Sequence, residues 1–341
     1  MNNSLEKELE RRGKLDPEAK GLWHQYNAVK GYLSKEYYPW VQANCPYFTD
    51  HGELHIGSVI LTAGHLVSRR LKCKGSERIN SVDIYIILSA ILWHDVAMVH
   101  GRTNHAQRVG EISEEIKKLA FPNPDFHRII TQISKAHAGN GQDEGLNIPK
   151  SEEDCTVTEI YTVFPKALAA VVRFADEISE NHNRISQALL SKVPNENKIF
   201  WEYASCISAS RPEPERERVV ITYTIPHDKV IEEFTCVEFP NHCNANGKIS
   251  LIQYIICRLE KINNEREYCS REFSNYTKIR QIHARFRITK GVQLLKNYEL
   301  EIIFSDSGLQ GTKYPQIDIF EKFFAENPKW QPNNIKEALA P

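Results

Sequence analysis

The sequence predicts a mainly α-helical protein whose last third changes to mixed α and β structure. Three observations carry that expectation. Residues Ile56, Val59, Ile60, Ala63 and Val67 recur at helical spacing between Glu53 and about Lys72. An uninterrupted stretch from Ile84 to Trp93 ends on His94-Asp95. Beyond about residue 195, segments rich in β-branched and aromatic residues take over.

The elements follow in order. Met1 to Lys20 is charged and lacks the apolar core of a signal peptide, so residues 1–44 read as an N-terminal helical segment. Asp50 suits the N-cap of a helix running from Glu53 to about Lys72, with a basic last turn and Gly75 as its terminator. Ser81 can cap a second helix through the apolar run to His94, and the short connection favours antiparallel packing. That packing brings His55, near the start of one helix, to His94, at the end of the other. Thr103 or Asn104 can cap a third helix with His105 in its first turn. Asp125 can cap a fourth, ending at His137 before the breaker Gly139-Asn140-Gly141. Pro165 fits the first turn of a fifth, where Leu168, Val172 and Asp176 share one face.

In the last third, Lys198–Tyr203 and Val219–Ile225 read as strands, with Arg211–Arg218 as a solvated loop between them. Ser250–Phe273 reads as a helix, Arg285–Ile288 and Glu299–Phe304 as strands, and Ile317–Phe324 as a short final helix. Residues 196–341 thus form an α+β accessory lobe, suited to oligomer contact, pocket closure or regulation.

A histidine and a carboxylate side by side are costly to bury unless something binds them, and a divalent metal suits both. Asp176, in line with an apolar stripe, would likewise be buried without a partner unless a cation is present. His55, His94, Asp95, His105, His137 and Asp176 all fall at helix ends, which points to one metal pocket. The bland alternatives are a helix-start residue for His105 and a dipole-favoured C-terminal residue for His137. His51, one helical turn before His55, can face the same pocket, although an exposed position near a cap suits it better. His100, His127, His182, His227, His242 and His283 read as structural or exposed, although His182 is close enough to Asp176 to border a substrate. Among the 43 Lys and Arg, Arg102, Lys135 and Arg184 stand out by proximity to these ligands as cations for phosphate.

A net charge of -1 argues against a dominant nucleic-acid surface, and no apolar run reaches the length of a membrane span. Eight cysteines include no Cys-x-x-Cys pair, and Cys236, His242 and Cys243 are too irregular for a zinc site; reduced thiols in a cytoplasm are the simpler account.

The order His55, His94-Asp95 and a distant Asp176 within Arg173-Phe174-Ala175-Asp176-Glu177 resembles the HD-domain metal-dependent phosphohydrolases over roughly residues 45–190, which sets an HD-type helical domain at 45–195. The resemblance implies His55, His94, Asp95 and Asp176 as primary ligands for Mn2+, Mg2+, Fe2+ or Co2+, as one ion or two. It implies for His105 and His137 either a second metal or contact with substrate phosphate and its leaving group, with Glu111 as a possible relay. One departure is Val96-Ala97-Met98, where many members carry Ile or Leu and then Gly. The implied activity is nucleotide hydrolysis, first of all release of nucleoside and triphosphate from a deoxynucleoside triphosphate, and by analogy a role in bacterial antiviral defence. The alternatives are a phosphodiesterase for cyclic or linear oligonucleotides, with two metals bridged by Asp95, and an inactive nucleotide sensor. A homo-oligomer and an operon-encoded regulatory partner are the expected assemblies.

Overall fold

The computed structural model describes residues 5–120, 123–138, 148, 155–158, 161–273, 276–305 and 319–338. Helices α1 (Leu5–Gly13), α2 (Pro17–Glu36) and α3 (Tyr38–Asn44) open the chain. Asp16 caps α2 by accepting from the Glu18 amide, and Pro17 fills its first position. The helix expected from Glu53 to Lys72 is two, α4 (Glu53–Leu66) and α5 (Ser68–Lys72), interrupted at Val67. Gly52 holds the cap position of α4, yet Asp50 still satisfies its open end, because Oδ2 accepts from the His55 amide at 3.0 Å. Gly75 does not end this helix but opens a 3₁₀ turn with φ of 61°.

All thirteen residues of α6 (Ser81–Trp93) are buried, as a helix apolar on every side must be. Asn80 rather than Ser81 caps it, accepting from the Asp83 amide at 2.7 Å. The most apolar window of Gly75–His100 would be long enough to cross a membrane, but 94% of it is buried in the fold; it is the central core helix. Around it pack α1, α2, α4, and, after α7 (His105–Ala120), α8 (Pro124–Lys135) and α9 (Pro165–Glu177). Asn123 takes the capping role expected of Asp125, its Oδ1 accepting from the Asp125 and Phe126 amides. The breaker Gly139–Gly141 lies outside the described residues. A short antiparallel pair, β1 (Cys155–Thr158) and β2 (Tyr161–Val163), precedes α9 and had no counterpart in the sequence reading.

Lys198–Tyr203, expected as a strand, lies inside helix α10 (Asn195–Cys206). Ile199, Tyr203 and Cys206 are buried at helical spacing, and packing of that face overrides the strand preference of the aromatic residues. Strands β3 (Ile207–Glu213), β4 (Arg218–Pro226), β7 (Gln281–Lys290) and β8 (Gln293–Ser305) form a sheet in that order, with β4 and β7 parallel and the other pairs antiparallel. The expected loop from Arg211 is therefore half strand: Arg211-Pro212-Glu213 pairs with β4, and Pro212 is tolerated because β3 is an edge. Between β4 and β7 come the small pair β5 (Glu233–Thr235) and β6 (Lys248–Ser250) and then α11 (Leu251–Ser270), the crossover a parallel pair requires. Ser250 caps α11 in a reciprocal box with Gln253. The final helices are α12 (Ile319–Glu326) and α13 (Pro332–Ala338); residues 317 and 318 of the expected last helix lie outside the described set. One continuous apolar core runs from α1 through α6 and α9 into α11 and the sheet.

Burial pushes the Asp83 carboxyl up to about 7, although Tyr276 donates to Oδ2 at 2.7 Å; Oδ1 has no partner among the described residues. The folded chain thus holds this proton more tightly than the unfolded chain, where the group titrates near 4. Its contribution to stability is full below about pH 4 and is lost as pH rises through about 7. Asp83→Asn is expected to remove that slope, worth up to about 4 kcal/mol, in urea unfolding measured across this range. An unchanged slope in the variant would contradict the assignment.

Candidate metal centre

Six elements deliver the polar groups. His55 sits in the first turn of α4, where the Asp50 carboxylate fixes its amide. His94 is the C-cap of α6, and Asp95 opens a 3₁₀ turn over Val96–His100, buried as far as Met98, that Gly101, at φ of 99°, terminates. The Val96-Ala97-Met98 departure thus keeps a compact turn, its three side chains packed inside. His105 starts α7, His137 lies in a 3₁₀ turn (Ala136–Ala138) after α8, and Asp176 is next to last in α9.

These groups form two clusters that share Asp95. In the first, His55 Nε2 lies 3.2 Å from His94 Nε2, 3.4 Å from Asp95 Oδ2 and 3.1 Å from Asp176 Oδ1. His94 Nε2 is 3.2 Å from Asp95 Oδ2 and 3.6 Å from Asp176 Oδ1. In the second, Asp95 Oδ1 is 3.1 Å from His105 Nε2 and 3.5 Å from His137 Nε2, and those two nitrogens are 3.2 Å apart. Asp95 therefore offers one oxygen to each side.

The tautomers show what fits there. His94 Nδ1 lies 2.7 Å from the Ile91 carbonyl, His105 Nδ1 2.8 Å from that of Arg102, and His137 Nδ1 2.5 Å from that of Ser134. A carbonyl can only accept, so each Nδ1 carries the hydrogen and each neutral ring turns an Nε2 lone pair inward. Lone pairs converging within hydrogen-bond distance repel unless a cation lies among them, so the donor set fits divalent ions. His55 differs: its Nδ1 is buried with no partner among the described residues. With no cation among them, the same nitrogens hold protons instead. Burial pushes the Asp95 carboxyl up, but the charge on His94 and Nε2–H hydrogen bonds from His105, His137 and His55 outweigh it and hold it well below the usual carboxylate range, while Asp95 in turn raises His94 and His105. Asp176 is likewise pushed up by burial and held well below that range, by His94 and His55.

The sequence reading missed what braces this centre. Arg173 of α9 makes a bidentate pair with Glu265 of α11, both contacts at 2.7 Å, and Nη1 donates to the Ala136 carbonyl at 3.2 Å. That carbonyl belongs to the turn carrying His137. One turn along α9, Glu177, beside Asp176, pairs with Arg258 of α11 at 3.0 Å. Arg258 also pairs with Glu238 at 2.9 Å.

The centre opens into a cavity of about 1160 Å³ between the helical part and α11. Asp95, His105, His137 and Asp176 line it, and so do two of the expected phosphate cations. The exposed Arg102 guanidinium stacks 4.5 Å from the centre of the Phe48 ring. The buried Arg184 donates to the Asp50 carbonyl and to Glu180, while its Nη2 has no partner among the described residues. The other candidates fall elsewhere. The Lys135 ammonium lies over Gly110 of α7, Glu111 faces Arg108, and His182 contacts the Ile207 carbonyl; none of the three lines the cavity. His51, expected to be exposed, is half-buried on the cavity wall with Nδ1 on the Thr49 carbonyl. The one-turn step to His55 points to that wall, even though His51 lies in the connection before α4. Cys236, His242 and Cys243 form no ligand cluster among the described residues.

A helical protein that gathers His/Asp clusters at its helix ends, facing a deep cavity, has the site of an HD-type domain. The HD-CE family profile matches residues 45–241, and the chain belongs to the HD-CE family. No curated protein and no solved structure matches it significantly. Family and clusters together point to a metal-dependent hydrolase.

Two predictions follow from the shared carboxylate and its bracing. Asp95→Ala is expected to lose both equivalents of Mn2+ in calorimetric titration, whereas Asp176→Ala and His105→Ala each lose one; identical losses in all three would contradict the two-cluster arrangement. Glu265→Gln, which keeps an acceptor for Arg173, should weaken one of the two ions by about 10- to 100-fold, the usual cost of removing an outer-shell partner. Equal weakening of both ions would show that Glu265 supports the fold rather than the His137 turn.

Proposed function

We propose that this chain is a nucleotide phosphohydrolase that uses two divalent ions, held by His55, His94, Asp95 and Asp176 on one side and by Asp95, His105 and His137 on the other. The observation that carries the reading is Asp95 presenting one oxygen to each cluster. Ions held by these residues would supply a lowered pKa for bound water and neutralisation of charge on a phosphoryl group. Arg102 and Arg184 stand on the same cavity and supply guanidinium forks for non-bridging phosphate oxygens. The Arg184 Nη2, with no partner among the described residues, is one such donor.

Two product classes are compatible with these residues. The family resemblance favours a deoxynucleoside triphosphate cleaved to nucleoside and triphosphate. The shared Asp95 and the cavity favour a phosphodiester in a cyclic or linear di- or oligonucleotide. About 1160 Å³ exceeds the 300–1,000 Å³ typical of small-ligand sites, so there is room for more than one nucleotide. With His105 serving as a ligand, its removal costs an ion rather than only a proton donor.

The test is product analysis by chromatography after incubation with Mn2+, Mg2+ or Co2+ and a panel of dNTPs and cyclic and linear dinucleotides. Nucleoside plus intact triphosphate supports the first class, and nucleoside monophosphates from the dinucleotides support the second. No product from any substrate with any metal overturns the enzymatic reading in favour of a nucleotide sensor.

A further inference from the structure

We infer that the cavity wall beside the metal clusters is a nucleobase subsite that works by stacking. This rests on the nucleotide reading above and names the residues that would hold the base. Phe48, Phe200 and Phe239 come from three separate segments: the connection before α4, helix α10, and the connection between β5 and β6. All three line the cavity and are only half-buried. Ring contacts join them into one wall. Phe48 and Phe200 lie 6.3 Å apart between centroids, Phe200 and Tyr254 6.3 Å, and Tyr254 and Phe239 5.5 Å. Arg102, one of the two arginines on the cavity, stacks on Phe48 at one end of this wall.

Three half-buried phenylalanines in a polar cavity leave apolar ring surface facing water. A flat aromatic ligand covers such surface, and the neighbouring metals and arginines demand that it carry phosphate. A nucleobase on a phosphorylated sugar meets both requirements. The polar groups on this wall are already committed to one another: Glu238 accepts from Tyr254 at 2.6 Å, from Arg258 at 2.9 Å and from Lys261 at 3.2 Å. They are therefore poor readers of a base edge. Stacking accepts every base because each has a π-face, so the subsite tolerates different bases and rejects phosphates that lack one.

The experiment measures binding of a 2-aminopurine dinucleotide by fluorescence quenching, with Ca2+ added to support binding without turnover. Competition by the same dinucleotide with an abasic sugar in place of 2-aminopurine gives the contribution of the base. In the wild-type protein the abasic analogue should bind at least about fivefold more weakly, the lower end of one base–aromatic stack. Phe48→Leu, Phe200→Leu and Phe239→Leu keep apolar volume, and thermal melts confirm that each is folded. At least one of them should shrink the gap between the two ligands while leaving abasic affinity unchanged. Equal wild-type affinity for both ligands, or equal loss of both in every folded variant, overturns the subsite. Because binding is read without hydrolysis, failure of the substrate panel would sink the enzymatic reading and leave this one standing.

Discussion

The arrangement turns on Asp95, a carboxylate surrounded by four imidazoles and almost completely buried. Its Oδ2 faces His55 and His94, and its Oδ1 faces His105 and His137. An isolated carboxylate in such a place would take up a proton, because burial alone raises its pKa. The surrounding imidazoles reverse that tendency and keep it anionic. The chain therefore holds a negative charge at the meeting point of α6, α7 and the turn after α8, and the neighbouring donors are organised around it. His94, His105 and His137 each use Nδ1 for a backbone carbonyl and leave Nε2 for the centre.

Helix α11 supplies the second constraint. Its pairings with α9 are crossed in sign: Arg173 of α9 meets Glu265, whereas Glu177 of α9 meets Arg258. A slide of α11 along α9 would bring like charges together, so the pairs fix the register as well as contributing attraction. Buried pairs of this type offer little net stability against apolar replacements but are costly to break from one side. Their position explains why they are present. They flank Asp176, and Arg173 reaches through to the Ala136 carbonyl under His137. The C-terminal part is thus a structural participant in the centre, in keeping with the apolar core that passes between the two without a break.

Much of the ligand set was legible because it lies where local rules speak. Caps, breakers and apolar periodicity place helix ends, and His55, His94, His105, His137 and Asp176 all occur at them. Even where the capping residue was misread, as with Asn80 and Asn123, the helix began within a residue or two of its expected start. The rest depends on contacts between distant segments. Nothing local at Glu265 indicates that it meets Arg173, 92 positions away. Lys135 was judged by its distance from His137 along the chain, but a residue two positions away on a helix points to a different side, and the Lys135 ammonium lies over Gly110. The strand expected at Lys198–Tyr203 failed for a related reason. Its aromatic residues suit a sheet, but α10 buries Ile199, Tyr203 and Cys206 at helical spacing.

The same distinction bears on how His105 and His137 are understood. Read singly, a histidine at a helix start beside a phosphate site suits a proton donor, and one at a helix end suits the dipole. Their Nε2 atoms, 3.2 Å apart, both face Asp95 Oδ1. With Nδ1 held by a backbone carbonyl, each ring presents Nε2 to that oxygen, where it can hold a cation or, without one, a proton bonded to the carboxylate. The backbone contacts of Arg102 and Ser134 therefore decide the chemistry as much as the imidazoles themselves, by selecting which nitrogen each ring presents.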